Sequence, residues 1–304
     1  MKAWQRILAD SLTTSNQLLS RLGLMTDQVQ SVDQSPDFPV RVPEPFVTRM
    51  VPGDPHDPLL RQVLAVADER QAMPGFVKDP LDELEGPMPG VLHKYRSRVL
   101  VIYRGGCAIN CRYCFRRHFP YQENTLTARD IDGLVSYLKA HPEVNEVILS
   151  GGDPLMADDQ ALSGLFVRLE SVSSIHRLRI HTRLPIVIPE RVTDLLCQAI
   201  ATTALPVVMV LHSNHANEID QSVMDAVSQL RVVCRSVLNQ SVILKGINDS
   251  ADVLIALSER LFEAGIDPYY LNVLDRVSGA HHFDGSELEV AALHQALLNA
   301  LPGY

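Results

Sequence analysis

Cys107, Cys111 and Cys114 set three thiols within eight residues in a C-x3-C-x2-C spacing. Iron–sulfur clusters are normally held by four thiolates, so three with no fourth nearby would leave one iron open to a substrate or cofactor. His118 offers a different chemistry, completing a Cys3His set of the kind that holds structural zinc. Spacing alone does not separate the two. A disulfide is disfavoured, because an odd, closely spaced group in a chain that begins without an apolar secretory core suits a reducing compartment.

Other residues with chemical potential stand at or just past apolar runs. Arg116, two residues after Cys114, could grip a carboxylate through two parallel N–H bonds and hold it over the cysteines; the plain alternative is a solvated arginine beside Arg117. Ser150-Gly151-Gly152-Asp153-Pro154-Leu155 follows the run at 146–149. Its glycines let a ligand approach the backbone and Asp153 adds an acceptor for an ammonium, although such segments are more often simple turns. His212, His215 and Gln240 close other apolar runs, where a satisfied hydrogen bond is the commoner role. Asp275 ends the run that starts near Tyr269, a place from which a carboxylate could pair with a distant ammonium. His281-His282 lacks further ligands and is assigned no metal, and Cys197 and Cys234 read as small buried hydrophobes.

With Tyr113 as the aromatic in C-x3-C-x-aromatic-C, the cysteine loop resembles the signature of radical S-adenosylmethionine (SAM) enzymes. The segments at 150–155, 179–185, 212–218, 238–242 and 268–275 follow in the order seen in the lysine 2,3-aminomutase family. The phrase Arg116-Arg117-His118-Phe119-Pro120-Tyr121 is most similar to the branch that acts on elongation factor P. The resemblance spans roughly residues 50–304, and several motifs in one order make it far more specific than any single pattern. It implies a [4Fe-4S] cluster on Cys107, Cys111 and Cys114, with SAM against Ser150, Gly151, Gly152, Asp153, His212 and Gln240. His215 would stand behind that pocket. It also implies Arg116 on the substrate carboxylate, Asp275 on its far ammonium, and pyridoxal 5′-phosphate (PLP) against Lys94, Arg98 and Tyr269. The implied reaction converts L-α-lysine to β-lysine by PLP-assisted 1,2-amino migration, for attachment to elongation factor P by a separate ligase, with free-lysine metabolism as the alternative and an electron-donor protein as a further partner. From another class, a zinc-stabilised module without catalysis, or a SAM-cleaving remnant without PLP chemistry, stays open. The family's PLP-anchoring lysine lies beyond the segment that ends Leu301-Pro302-Gly303-Tyr304. The lysines here are Lys2, Lys78, Lys94, Lys139 and Lys245, and none matches it, so a C-terminally truncated form is expected.

The elements that must position these residues follow from periodicity. Residues 3–30 carry helical periodicity, and seven prolines between 35 and 58 make an extended strap. Beyond residue 95, strands at 98–103, 146–149, 177–181, 206–211, 236–244 and 269–274 alternate with helices near 128–140, 158–171, 189–202, 217–230 and 250–264, capped at Thr127 and Ser250. That alternation predicts an α/β fold with a parallel sheet, open or curled. The resemblance implies a partial (β/α)6 TIM-type barrel, divided into a helical and proline-rich segment at 1–94 and a core at 95–304, with a last helix at 286–301 over the open side. At 304 residues and 46% hydrophobic, the chain can fill one large core. A net charge of −9 argues against duplex nucleic acid as the main ligand, leaving a local basic cluster at Arg112, Arg116, Arg117 and His118. No run reaches the ~18 apolar residues that cross a bilayer, so a cytoplasmic protein is expected.

Overall fold

A computed structural model describes residues 1–127 and 129–302. Two short helices, α1 (Ala3–Ala9) and α2 (Ser15–Arg21), and two single turns, α3 (Glu44–Val47) and α4 (Pro58–Arg61), precede the sheet. Seven strands follow: β1 (Val91–Tyr95), β2 (Arg98–Arg104), β3 (Glu146–Gly151), β4 (Arg177–Thr182), β5 (Val207–His212), β6 (Ser236–Val242) and β7 (Asp267–Asn272). Between and after the strands lie α5 (Ile131–Ala140), α6 (Asp159–Glu170), α7 (Leu184–Val187), α8 (Asp194–Thr202), α9 (Gln221–Val233), α10 (Ala251–Glu263) and α11 (Glu287–Ala300). The strands stand in sequence order in one open sheet, parallel from β2 to β7, which is the partial barrel expected.

Strand periodicity sorts the side chains into two sets. Val99, Val101, Val147, Leu149, Leu178, Ile180, Met209 and Leu211 are buried against the helices. The alternate set, including Ser150, His181, His212 and Gln240, faces the other side and reaches the cavity at the strands' C-terminal ends. Parallel register puts those ends level, pairing Ile102 with Ser150 and His212 with Gln240. Asp158, Asp220 and Ser250 cap α6, α9 and α10 by accepting from backbone N–H groups, each contributing about 1 kcal/mol.

Several expectations are corrected. The sheet has a seventh strand, β1, paired antiparallel to β2 from within the expected N-terminal segment; its five residues were too short a pattern to register. The α5 cap is Asp130, whose carboxylate accepts from Thr127 N–H, and the expected start at residue 128 lies outside the described residues. Helix α11 buries none of its residues: Leu288 is 83% exposed, and the helix lies beside α10 instead of closing the open side. Among the described residues no helix is long and apolar enough to cross a membrane.

The proline-rich strap has a defined job. It adds Val40, Val42, Phe46 and Val47 to the barrel's own core, beside Trp4 of α1 and Leu18 of α2, and clamps the cysteine loop from outside. Asn110 N–H donates to Arg41 O (3.1 Å), Arg112 N–H to Gln62 O (2.9 Å), and Arg41 Nη1 to Cys107 O (3.3 Å). Extended, proline-interrupted chain leaves its carbonyls free for such bonds.

Candidate active site

A cavity of about 420 Å³ opens at the C-terminal ends of the strands, a size common for small-ligand sites. Its walls include Cys107, Cys111, Cys114, Arg116, Ser150, Gly151, Gly152, Asp153, His212, Gln240 and Asp275, which brings together the residues proposed for cluster, SAM and substrate. Lys94, Arg98 and Tyr269 are not in it. Lys94 is exposed with its ammonium on Leu81 O, Arg98 lies over the Tyr95 ring at 4.0 Å, and Tyr269 is 44% exposed on β7 with its hydroxyl 3.1 Å from that of Tyr270. None of the five lysines lines the cavity.

Close packing shapes the cysteine loop. Asp153 N–H donates to Gly106 O at 2.9 Å, and a Cβ on Gly152 would stand 2.5 Å from that same oxygen. Gly151, at φ 114°, holds a backbone shape that side chains resist, and a Cβ there would meet Ile102 Cγ2 at 2.7 Å. The two glycines therefore let β3 end flush against the loop. Asp153 departs from the expected role. Its carboxylate accepts from Leu155 N, Thr182 Oγ1, Arg183 N and Leu184 N at 2.7–3.0 Å, so it ties β3 to β4 and offers no free acceptor. Burial pushes that carboxyl up, against the four hydrogen bonds that pull it down.

The donor set fits a cluster better than a single ion. His118 Nε2 faces Ser278 O at 3.0 Å and stays outside the cavity, so the Cys3His set is not assembled. Among the described residues no three Cys, His, Asp or Glu side chains converge tightly enough to hold one metal ion. Three thiols spread around one cavity suit the wider span of an iron–sulfur cube. Burial pushes Cys107 well up and Cys114 to about 11, so both need a bound cationic partner to become thiolates.

The expected basic cluster is a set of buried ion pairs. Arg112, fully buried, and Arg117 share Glu69, whose carboxyl stays below its ordinary range despite burial because both guanidinia face it. Arg116 Nε and Nη2 donate to Glu83 at 2.6 and 2.9 Å, and its Nη1 donates to Ser150 Oγ and Gly151 O at 3.1 and 3.2 Å. Asp275 is raised by burial and by the nearby Glu83 carboxylate.

Sequence reasoning missed the buried network behind Cys111. Arg183 Nη1 donates to Cys111 Sγ and to the Tyr113 hydroxyl, both at 2.7 Å, while Nη2 donates to Gln62 Oε1 (2.7 Å) and Glu218 Oε2 (2.8 Å). Asn214 Nδ2 also donates to Tyr113 at 2.7 Å. The Tyr113 hydroxyl also stands 2.8 Å from His212 Nε2 and 3.4 Å from Gln62 Oε1. Burial holds His212 and His181 down to about 3, so both imidazoles are neutral, and His181 Nε2 is buried without a protein partner. Arg183 and His181 stood inside the 179–185 segment, His181 at the C-terminal end of β4 and Arg183 directly after it, a position that could have found them. Glu218 likewise closed the 212–218 segment, whereas Gln62 carried no such signal, because its contacts with Arg183 and Glu218 are more than a hundred residues apart.

The comparisons with known proteins agree with this geometry. Residues 101–257 match the family model described as the Radical SAM superfamily. The chain is 48% identical over 303 residues to L-lysine 2,3-aminomutase of Escherichia coli (strain K12), covering 99% of this chain and 89% of that protein. It is 47% identical to the protein of the same name from Haemophilus influenzae, covering 99% and 90%, and 31% identical to that of Clostridium subterminale, covering 92% and 68%. Cysteine loop, barrel and relatives together place the chain in the lysine 2,3-aminomutase family of radical SAM enzymes, as an isomerase.

Proposed function

We propose that this enzyme converts L-α-lysine to β-lysine by PLP-assisted 1,2-amino migration, and that the product serves the modification of elongation factor P. The observation that carries the substrate reading is the placement of Arg116 and Asp275 in one cavity with three cysteines: a fork for a carboxylate and an acid for a far ammonium flank the radical source. The names of the relatives support the same substrate.

Cys107, Cys111 and Cys114 would hold the [4Fe-4S] cluster, with Ser150, Gly151, Gly152, His212 and Gln240 around SAM. Cluster and SAM would supply, when bound, a hydrogen-abstracting radical, and PLP would supply the conjugated ring that amino migration needs. Lys94, Arg98 and Tyr269, the residues proposed for PLP, stand outside this cavity on β1, β2 and β7, engaged with Leu81, Tyr95 and Tyr270. The chain's own work is orientation. Neutral His212, hydrogen-bonded to Tyr113, is held in place without adding charge, and Gln240 stands beside it in register. Arg183 keeps Cys111 and Tyr113 in place.

Supplying labelled lysine, SAM, PLP and reductant anaerobically to the enzyme should give labelled β-lysine; its absence sinks the substrate reading. The link to elongation factor P rests on the 116–121 phrase. Cells lacking the gene should lose the β-lysyl mass on that factor, and retention of that mass points to free-lysine metabolism instead.

A further inference from the structure

Arg116 has no edge left for a ligand. One side of its planar fork, Nε with Nη2, is closed on Glu83, and Nη1 is used by Ser150 Oγ and Gly151 O. Glu83 thus makes the two-point contact that an amino-acid carboxylate would make, and both partners are buried, at 6% and 8% side-chain exposure. The segment that carries Glu83 is a locally closed unit. Asp79 accepts from Glu83 and Leu84 N–H groups at 3.0–3.2 Å and closes residues 79–84 into a turn of their own. Asp82 sits at φ 50°, a strained region for a side chain.

Little apolar contact fastens this turn to the barrel. Leu81 and Leu84 are 37% and 50% exposed, so the anchors are polar: Glu83 on Arg116 and Leu81 O on Lys94. Upstream, the chain is tied at Val77, through Val77 N–H to Arg276 O and Ser278 N–H to Val77 O, both 2.9 Å. Leu81 also lines the cavity wall, so displacing the turn would widen the entrance. Both cations that hold the turn are the ones assigned above to anionic groups of incoming ligands.

We propose that Glu83 is a resident stand-in for the substrate carboxylate: it latches the 79–84 turn over the cavity through Arg116, and substrate enters by exchanging its own carboxylate for that of Glu83. This rests on the lysine reading above. Exchange makes the site demand a carboxylate, because a ligand without one leaves the buried Arg116–Glu83 pair intact and the turn closed. The competing reading is that Glu83 only orients Arg116. The two differ in sign.

The test uses the cluster-reconstituted enzyme with SAM and PLP supplied, kept oxidised so that no turnover occurs, and compares it with Glu83→Gln. Hydrogen–deuterium exchange over residues 79–86 should rise when L-lysine binds the wild type and stay low with L-lysinamide, which lacks the carboxylate. In E83Q that exchange should be high without ligand, and L-lysine should bind about tenfold more tightly, since its competitor has lost a charge-assisted bond. Weaker lysine binding in E83Q, a turn that stays protected in ligand-free E83Q, or lysine binding that leaves the wild-type turn protected would each overturn the exchange alone. Failure of L-lysine to bind either protein would overturn the substrate reading and the exchange with it.

Discussion

Arg183→Met should remove the positive centre of the buried network and leave Glu218 as a fully buried carboxylate without a counter-charge. Glu218 would keep its N–H partners, Asn214 N at 2.8 Å, His215 N at 3.1 Å and Gln62 Nε2 at 3.1 Å, so the loss is mainly electrostatic. Breaking a buried pair in this way costs about 3–5 kcal/mol, a large fraction of the ~5–15 kcal/mol by which domains are stable. Adding Glu218→Gln removes the stranded charge while its amide oxygen can still accept the same N–H groups. About 2 kcal/mol should return, and the bonds to Cys111 and Tyr113 should stay lost. The pH dependence supplies a second sign. Burial raises the Glu218 carboxyl, but Arg183 and the hydrogen bonds outweigh it, so in the wild type it sits below its ordinary value and stabilises above that range. Without Arg183, burial dominates, and the variant should lose less stability at pH 5.5 than at pH 7. Anaerobic urea unfolding of the two variants and the wild type, followed by far-ultraviolet circular dichroism, measures all of this. A loss below about 1 kcal/mol for R183M, or a double variant less stable than the single, refutes the assignment of Arg183 and Glu218 as a charge-compensating pair.

Gly152→Ala should push the cysteine loop off β3, because its methyl would meet Gly106 backbone at 2.5 Å; about 1–3 kcal/mol of stability and much of the iron content should go, read by urea unfolding and iron analysis. His181 and His212 titrate near 6.5 when unfolded and about 3 when folded, so their stabilising effect is complete above pH 6.5 and lost as pH falls towards 3. Each should contribute a slope of about 1.4 kcal/mol per pH unit between those limits, and urea midpoints in H181N/H212N should depend less on pH. Asp275→Asn should raise the lysine Kd about tenfold while SAM still binds; an unchanged lysine titration would remove Asp275 from the substrate's ammonium.

Local signals carried much of the fold. Apolar runs of four to nine residues alternating with capped helices specify a parallel sheet, because both periodicities are local and burial on two faces leaves few polar choices. Strand β1 escaped since its five residues alternate weakly and pair through a single antiparallel edge. Helix α11 was legible as a helix from Ser286 and Glu289, yet no local pattern says what its apolar side chains meet.

By itself the sequence determined the chemistry carried by short spacing: three thiols on one loop, a guanidinium two residues on, and glycines where β3 ends. Covalent geometry keeps the three thiols and Arg116 together in any fold. Only the tertiary structure decided which charges face which. Asp153 was available as a ligand group and became a tie between strands; Arg112, Arg116 and Arg117 resembled a basic patch and became three buried cations held by Glu69 and Glu83. Those partners lie 33 to 48 residues away along the chain, and a buried charge takes whichever opposite charge the packing brings within reach. For that reason, Glu83 gave no signal in the sequence, although in the folded protein it occupies the fork of Arg116.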